Sequence, residues 1–214
     1  MIKTETFILG EIETNCYIIA DEETGFAAII DPGFSSKEVN NRIKEIGDNN
    51  IKYILLTHGH YDHISALTEL KFLTRAKVVI GEDEAEFLHN NKLNLSLYAN
   101  TSPLEQNEAD ILLADGDTLK LGATTITFVK TAGHTRGSGC YIVGDSIFTG
   151  DTLFKEDIGR TDLPTGNQAE IAKSLKKIAQ IEGNYKVYVG HGENSTLDYE
   201  KMNNKYLIYW ASRA

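Results

Sequence analysis

Thr57-His58-Gly59-His60-Tyr61-Asp62-His63 sets three imidazoles and a carboxylate within six positions of one another. The residues just before it, Ile51 and Tyr53-Ile54-Leu55-Leu56, make a short apolar run rich in branched and aromatic side chains, which reads as a buried strand. The polar cluster therefore begins where a strand ends. Side chains at i and i+2 of an extended segment share a face, so His58 and His60 point the same way. Asp62 and His63 fall where the chain turns into a helix expected over 63–73. Taken alone, Asp62 reads as a helix N-cap, and one histidine at a strand end reads as a surface residue. Three together are a liability without a shared partner. Neutral imidazole and carboxylate are the donors that suit zinc and other divalent first-row ions.

The bulk of the chain narrows the partners. Its 214 residues suffice for one large α/β domain. No repeat or linker divides them, so 1–214 reads as a single domain. The formal net charge is -10 with no basic tract, which argues against nucleic acid. No signal-like opening and no bilayer-length apolar run is present, which argues against a membrane. Cys16 and Cys140 sit in strand-like contexts and read as core residues in a reducing cytoplasm. A small-molecule substrate is the remaining partner, and the oligomeric state is left open.

Working outward, strands are expected at 5–9, 16–20 and 26–30, the last closed by Asp31-Pro32-Gly33. Ser36 to Ile46 is amphipathic, with Gly47 as a stop. After the histidine stretch come a strand at 76–80 and a short acidic helix at 82–88, with His89 on the surface. Residues 90–110 form a long polar connection, read as a wall of a substrate pocket. A hairpin over 118–121 and 124–130 leads to Thr131-Ala132-Gly133-His134-Thr135. Strands 140–143 and 146–149 lead to Gly150-Asp151-Thr152, and strand 186–189 to Gly190-His191-Gly192. Helices are expected over 168–181 and 197–206, and the apolar tail 206–210 packs on the body or on a second copy. His58, His134, Asp151 and His191 thus each follow a strand, where ligand sites of α/β folds gather.

His-x-His-x-Asp-His, with the later motifs Gly133-His134, Gly150-Asp151 and Gly190-His191-Gly192, resembles the signature of the metallo-β-lactamase-fold superfamily. The resemblance spans residues 58 to 191, most of the chain. It implies a four-layer αββα sandwich and two divalent metal ions, zinc first, with iron or manganese as substitutes. It implies that His58, His60 and His134 bind one ion, that Asp62, His63 and His191 bind the other, and that Asp151 bridges them. Asp62 and Asp151 would then serve catalysis, around a hydroxide shared by the ions, and Asp31 would support the site from behind.

Within the superfamily, Gly159-Arg160-Thr161-Asp162 is similar to the glyoxalase II branch, whose members hydrolyse hydroxyacylglutathione thioesters. Arg160 would bind a substrate carboxylate; the plain reading of Arg160 is an ion pair with Asp157 or Asp162. The lactam-cleaving two-zinc enzymes typically carry Cys where Asp151 stands, which points away from antibiotics. The chain stops at Ala214, where full-length glyoxalase II continues into a helical extension, so the single-domain glyoxalase II-like hydrolases are the better match. Persulfide dioxygenase shares the scaffold and would use His58, His134 and Asp151 around one iron. A non-catalytic metal-binding module is the third reading.

Overall fold

The structure, a computed structural model, describes residues 1–99 and 104–212. Asn100 and Pro103 of the expected pocket wall lie outside these residues. Six strands build a first sheet in chain order: β1 (Ile2–Leu9), β2 (Thr14–Asp21), β3 (Ala27–Ile30), β4 (Ile51–Leu55), β5 (Lys77–Gly81) and β6 (Ile111–Leu113). β1, β2 and β3 pair antiparallel, and β3 to β6 pair parallel. The second sheet holds β7 (Thr118–Leu121), β8 (Thr124–Lys130), β9 (Gly139–Val143) and β10 (Ser146–Gly150). A two-stranded ribbon, β11 (Leu153–Phe154) with β12 (Asp157–Ile158), follows. β13 (Lys186–Val189) and β14 (Ser195–Thr196) then complete the second sheet in the order β14-β13-β10-β9-β8-β7.

The two-residue period of the strands sorts side chains into layers. In β2, Cys16 and Ile18 face one core while Tyr17 and Ile19 face another. β3 repeats this with Ala27 and Ile29 against Ala28 and Ile30. The middle core joins the two sheets, taking Leu55 and Val79 from the first and Phe128, Tyr141 and Phe148 from the second. The outer face of the first sheet is covered by α1 (Lys37–Ile46), through Val39 and Ile43, and by a helix at Leu67–Thr74, through Leu67 and Leu70. The outer face of the second is covered by three helices near the C-terminus, at Gln168–Ala179, Leu197–Asn203 and Lys205–Ala211. Strands buried on both faces must be apolar at every position, which is why β3 reads as a continuous apolar run. The architecture is the αββα sandwich that the motifs imply.

Local departures have local causes. The helix expected over 63–73 is two: α2 (Tyr61–Ile64) and α3 (Leu67–Thr74). It breaks because the N–H of Ala66 donates to Pro32 O at 3.1 Å rather than to the preceding turn. Residues 82–88 form a 3₁₀ helix. α4 (Gln168–Ala179) starts on an Asn167 cap. The helix expected over 197–206 splits at Asn204 into α5 (Leu197–Asn203) and α6 (Lys205–Ala211). The Asn204 side chain caps α6 and donates to Asp157 O at 3.0 Å, so the chain leaves helical geometry there. The tail packs on the body, with Leu207 fully buried. His89 is exposed, as expected. No helix among the described residues is long and apolar enough to cross a membrane.

Strand direction fixes the position of the site. β10 runs parallel to β13 and antiparallel to β9, which is antiparallel to β8. β8, β10 and β13 therefore end at one edge. The end of β4 is tied to that edge from the first sheet: Gly139 N–H donates to Thr57 O at 2.9 Å and the Tyr141 hydroxyl to Leu56 O at 3.0 Å.

Candidate metal centre

Those four strand ends deliver His58, His60, Asp62, His63, His134, Asp151 and His191 to one place. His60 Nδ1 lies 3.1 Å from His58 Nε2 and 2.9 Å from His134 Nε2. On the other side His63 Nε2 and His191 Nε2 are 3.3 Å apart. Asp62 Oδ2 stands 3.4 Å from His63 Nε2 and 3.2 Å from His191 Nε2. Asp151 lies between the two groups: Oδ1 is 3.4 Å from His63 Nε2, and Oδ2 is 3.6 Å from both His134 Nε2 and His191 Nε2. Among the described residues, three overlapping sets bring one donor atom each to within 4.8 Å of one another: His58, His60 and His134; His58, His63 and Asp151; Asp62, His63 and His191. Gly190 permits the close approach, because a Cβ there would stand 2.0 Å from Asp151 Oδ1.

The ring nitrogens turned away from the centre are mostly held. His134 Nδ1–H donates to Arg160 O at 2.8 Å, and His191 Nδ1–H to Ile12 O at 3.1 Å. His63 Nδ1–H donates to Asp31 Oδ2 at 3.1 Å. Thr57 gives its hydroxyl proton to the same oxygen at 2.6 Å, leaving its lone pairs for His58 Nδ1–H at 3.2 Å. Each bond favours a proton on Nδ1, so that in the neutral ring Nε2 is the bare nitrogen that faces its neighbours. His60 is reversed: its Nδ1 faces the cluster, and its buried Nε2 has no hydrogen-bond partner among the described residues.

Charge is separated across the centre. Burial, then the neighbouring imidazoles, holds His58 well below the ordinary histidine range and His60 at about 3. His63 is also buried, which opposes its charge, but Asp62, Asp151 and Asp31 outweigh that and raise it well above the range. Asp62 and Asp151 are likewise buried, yet His63 with His191 and its other neighbours holds Asp62 well below the carboxylate range and Asp151 at about 2.

A bound cation fits this arrangement on three counts. With their protons turned outward, ring nitrogens that face one another at 2.9 to 3.3 Å repel unless something positive lies between them. Four donors around zinc at about 2.0–2.1 Å would stand at comparable mutual distances. Asp151 Oδ1 is a buried acceptor with no hydrogen-bond partner among the described residues, aimed at the second group.

All seven residues singled out in the sequence for metal binding converge. Arg160 does not join them: its guanidinium is exposed and pairs with Asp162, at 2.7 and 2.8 Å. Its carbonyl, however, orients His134. Of the supporting residues, Asp31 was legible. Thr57 stood in the quoted stretch with no role assigned. Asn15, which donates to Val189 O and Gly192 O at 3.0 Å each and so braces the His191 loop, carried no signal beyond its place in a strand.

Comparison with known proteins agrees with this geometry. The family model described as Metallo-beta-lactamase superfamily matches residues 9–191. Hydroxyacylglutathione hydrolase GloC of Haemophilus influenzae is 33% identical over 204 residues, covering 91% of this chain and 93% of that protein. The crystal structure of BLEG-1 B3 metallo-beta-lactamase superposes with a TM-score of 0.87 at 31% identity, covering 96% of this chain and 99% of that one. ETHE1 from Myxococcus xanthus superposes with a TM-score of 0.74 at 25% identity, covering 98% and 90%.

Proposed function

The chain belongs to the metallo-beta-lactamase superfamily, and on that premise we propose that it is a two-metal thioester hydrolase of the glyoxalase II type, acting on a small hydroxyacyl thioester such as a hydroxyacylglutathione. In this reading His58, His60 and His134 hold one divalent ion, Asp62, His63 and His191 hold a second, and Asp151 lies between. Zinc suits the imidazole-rich donor set; iron and manganese are the substitutes. What a pair of such ions supplies is polarisation of a carbonyl and acidification of water to a pKa near 7.

The chain's own residues do the rest. Asp31, Thr57, Ile12 O and Arg160 O orient the imidazoles, so that little rearrangement is needed during turnover. Asp62 and Asp151 stay anionic and balance the cations. His191, the most open of the donors, marks the side from which substrate enters. Arg160 reaches a substrate carboxylate by releasing Asp162; a cavity of about 240 Å³ lies beside it, walled by Tyr206 and Trp210.

The observation that carries the choice of thioester is electrostatic. The two carboxyls that edge the site are both held ionised, so neither is an acid ready to protonate a leaving group. A thiolate leaves with little help, since an ordinary thiol has a pKa of about 8.5. The similarity to GloC supports the same reading. Buried, unbridged Cys16 and Cys140 suit a reducing cytoplasm.

Elemental analysis paired with S-D-lactoylglutathione hydrolysis tests the proposal. Two zinc per chain with thiol release supports it. One iron with oxygen uptake would assign the ETHE1-like alternative. Faster turnover of a chromogenic β-lactam would move the chain towards BLEG-1 and refute the inference drawn from Asp151 standing in place of Cys.

A further inference from the structure

Glu84 is completely buried in the 3₁₀ helix Glu82–Leu88, between the two loops that carry the first group of histidines. Its Oε2 accepts from Gly59 N–H at 2.9 Å, the peptide between His58 and His60. Its Oε1 accepts from Gly137 N–H at 2.9 Å, three residues beyond His134. One carboxylate thus joins a loop of the first sheet to a loop of the second. Both contacts are close: a Cβ on Gly59 would stand 2.3 Å from Phe87 Cβ, and one on Gly137 would stand 2.8 Å from Glu84 Cγ. The surrounding turn is fastened to the second loop independently, with Arg136 Nε donating to Asp83 O at 3.0 Å.

A carboxylate is an expensive way to hold two loops. Neither oxygen has an ion-pair partner among the described residues, and burial pushes the Glu84 carboxyl up to about 7 against the pull of Thr135 and the two backbone donors. A neutral side chain would fill the space without that penalty. What only a carboxylate offers is two acceptors at fixed separation, aimed at N–H groups from two loops of the sandwich.

We propose that Glu84 is a positioning residue that sets His60 against His134, the pair whose ring nitrogens stand 2.9 Å apart, and so tunes the affinity of the ion held by His58, His60 and His134 while leaving the other alone. The inference rests on the two-metal reading above and names its regulation residue. Glu84→Gln keeps the volume but replaces one acceptor by an NH₂ facing a backbone N–H, so one loop loses its tether. Glu84→Ala loses both tethers.

The test is zinc titration against a chromogenic chelator, in the wild type and in both variants. Each Glu84 variant should weaken one zinc equivalent by about tenfold to a hundredfold, the range for lost outer partners of ligands, and leave the other unchanged. Should Glu84→Ala fail to fold, Glu84→Gln carries the experiment. Two backgrounds identify the equivalent. With the second group disabled by Asp62→Ala, Glu84→Gln should weaken the remaining zinc; with the first disabled by His60→Ala, it should have no effect. Equal effects in both backgrounds, or full affinity in Glu84→Gln, overturn the assignment to Glu84 while the two-metal reading stands. A wild type that takes up no zinc overturns that reading itself, and the inference with it.

Discussion

Asp31→Asn exchanges one carboxylate oxygen for an amide NH₂ in a side chain that is 2% exposed. The carboxylate accepts three hydrogen bonds: from Thr57 N at 2.8 Å on Oδ1, and from Thr57 Oγ1 at 2.6 Å and His63 Nδ1 at 3.1 Å on Oδ2. If the amide oxygen faces Thr57 N–H, the NH₂ meets the other two. The Thr57 hydroxyl can turn and accept, but His63 Nδ1–H cannot. The ring must then carry its proton on Nε2, the atom 3.4 Å from both Asp62 and Asp151 and needed bare for an ion. The opposite amide orientation sets two buried N–H donors against each other. Either way a charge-assisted hydrogen bond is lost, about 1.5–3 kcal/mol. At 1.36 kcal/mol per decade, that is about tenfold to a hundredfold in affinity for the ion held through His63. The ion held through His58, His60 and His134 should weaken less, because Asp31 reaches His58 only by way of the Thr57 hydroxyl. Chelator competition with two zinc equivalents reads both numbers in one titration. Two equivalents weakened alike, or neither weakened, would refute the claim that Asp31 sets the His63 tautomer.

Asp151→Ala removes the carboxylate between the groups, and both zinc equivalents should weaken together with thioester turnover; full turnover without Asp151 would contradict its shared role. Arg160→Ala leaves the carbonyl that holds His134 in place, so KM for an anionic thioester should rise while zinc content stays at the wild-type value, as elemental analysis will show. In the metal-free chain, folded His58 and His60 (the latter at about 3) refuse two protons that the unfolded chain takes up below pH 6.5, while folded Glu84, at about 7, takes one that the unfolded chain takes only near 4.5. His63 and His191 are raised and stay charged in the folded chain, and the unfolded chain matches them only below about pH 5.5, so stability should fall by about 1.4 kcal/mol per pH unit from about pH 5.5 to 4.5; a flat or rising urea midpoint on acidification across that window counts against this.

The donors were legible in the sequence because each carries its own chemistry and each follows an apolar run. Histidine after a strand is a local signal, and four strands ending at one edge is a topological rule. The break between α2 and α3 was not legible, because it depends on Pro32 O, a contact made only after the chain has folded back. Arg160 shows the same limit in reverse. Its side chain drew notice for charge, yet the atom that holds His134 is its carbonyl, which every residue possesses.

Glu84 marks where sequence reading stops. In Gly81-Glu82-Asp83-Glu84-Ala85-Glu86 it is one of four acids in five positions, and by composition it belongs to a solvated face. The 3₁₀ geometry breaks that equivalence. It turns Glu84 inward to full burial while Glu82, Asp83 and Glu86 stay exposed, and Asp83 and Glu86 meet Lys130 and Arg136 on the surface. The two clamps of the centre therefore divide the labour. Asp31 acts through side-chain nitrogens and governs the protons of His63 and, by way of Thr57, His58. Glu84 acts through backbone N–H groups and governs the distance between His60 and His134. A substitution at Asp31 should consequently alter the tautomer of His63 as well as the strength of zinc binding, whereas one at Glu84 should alter strength most above about pH 7, where the carboxylate is ionised and both its oxygens accept.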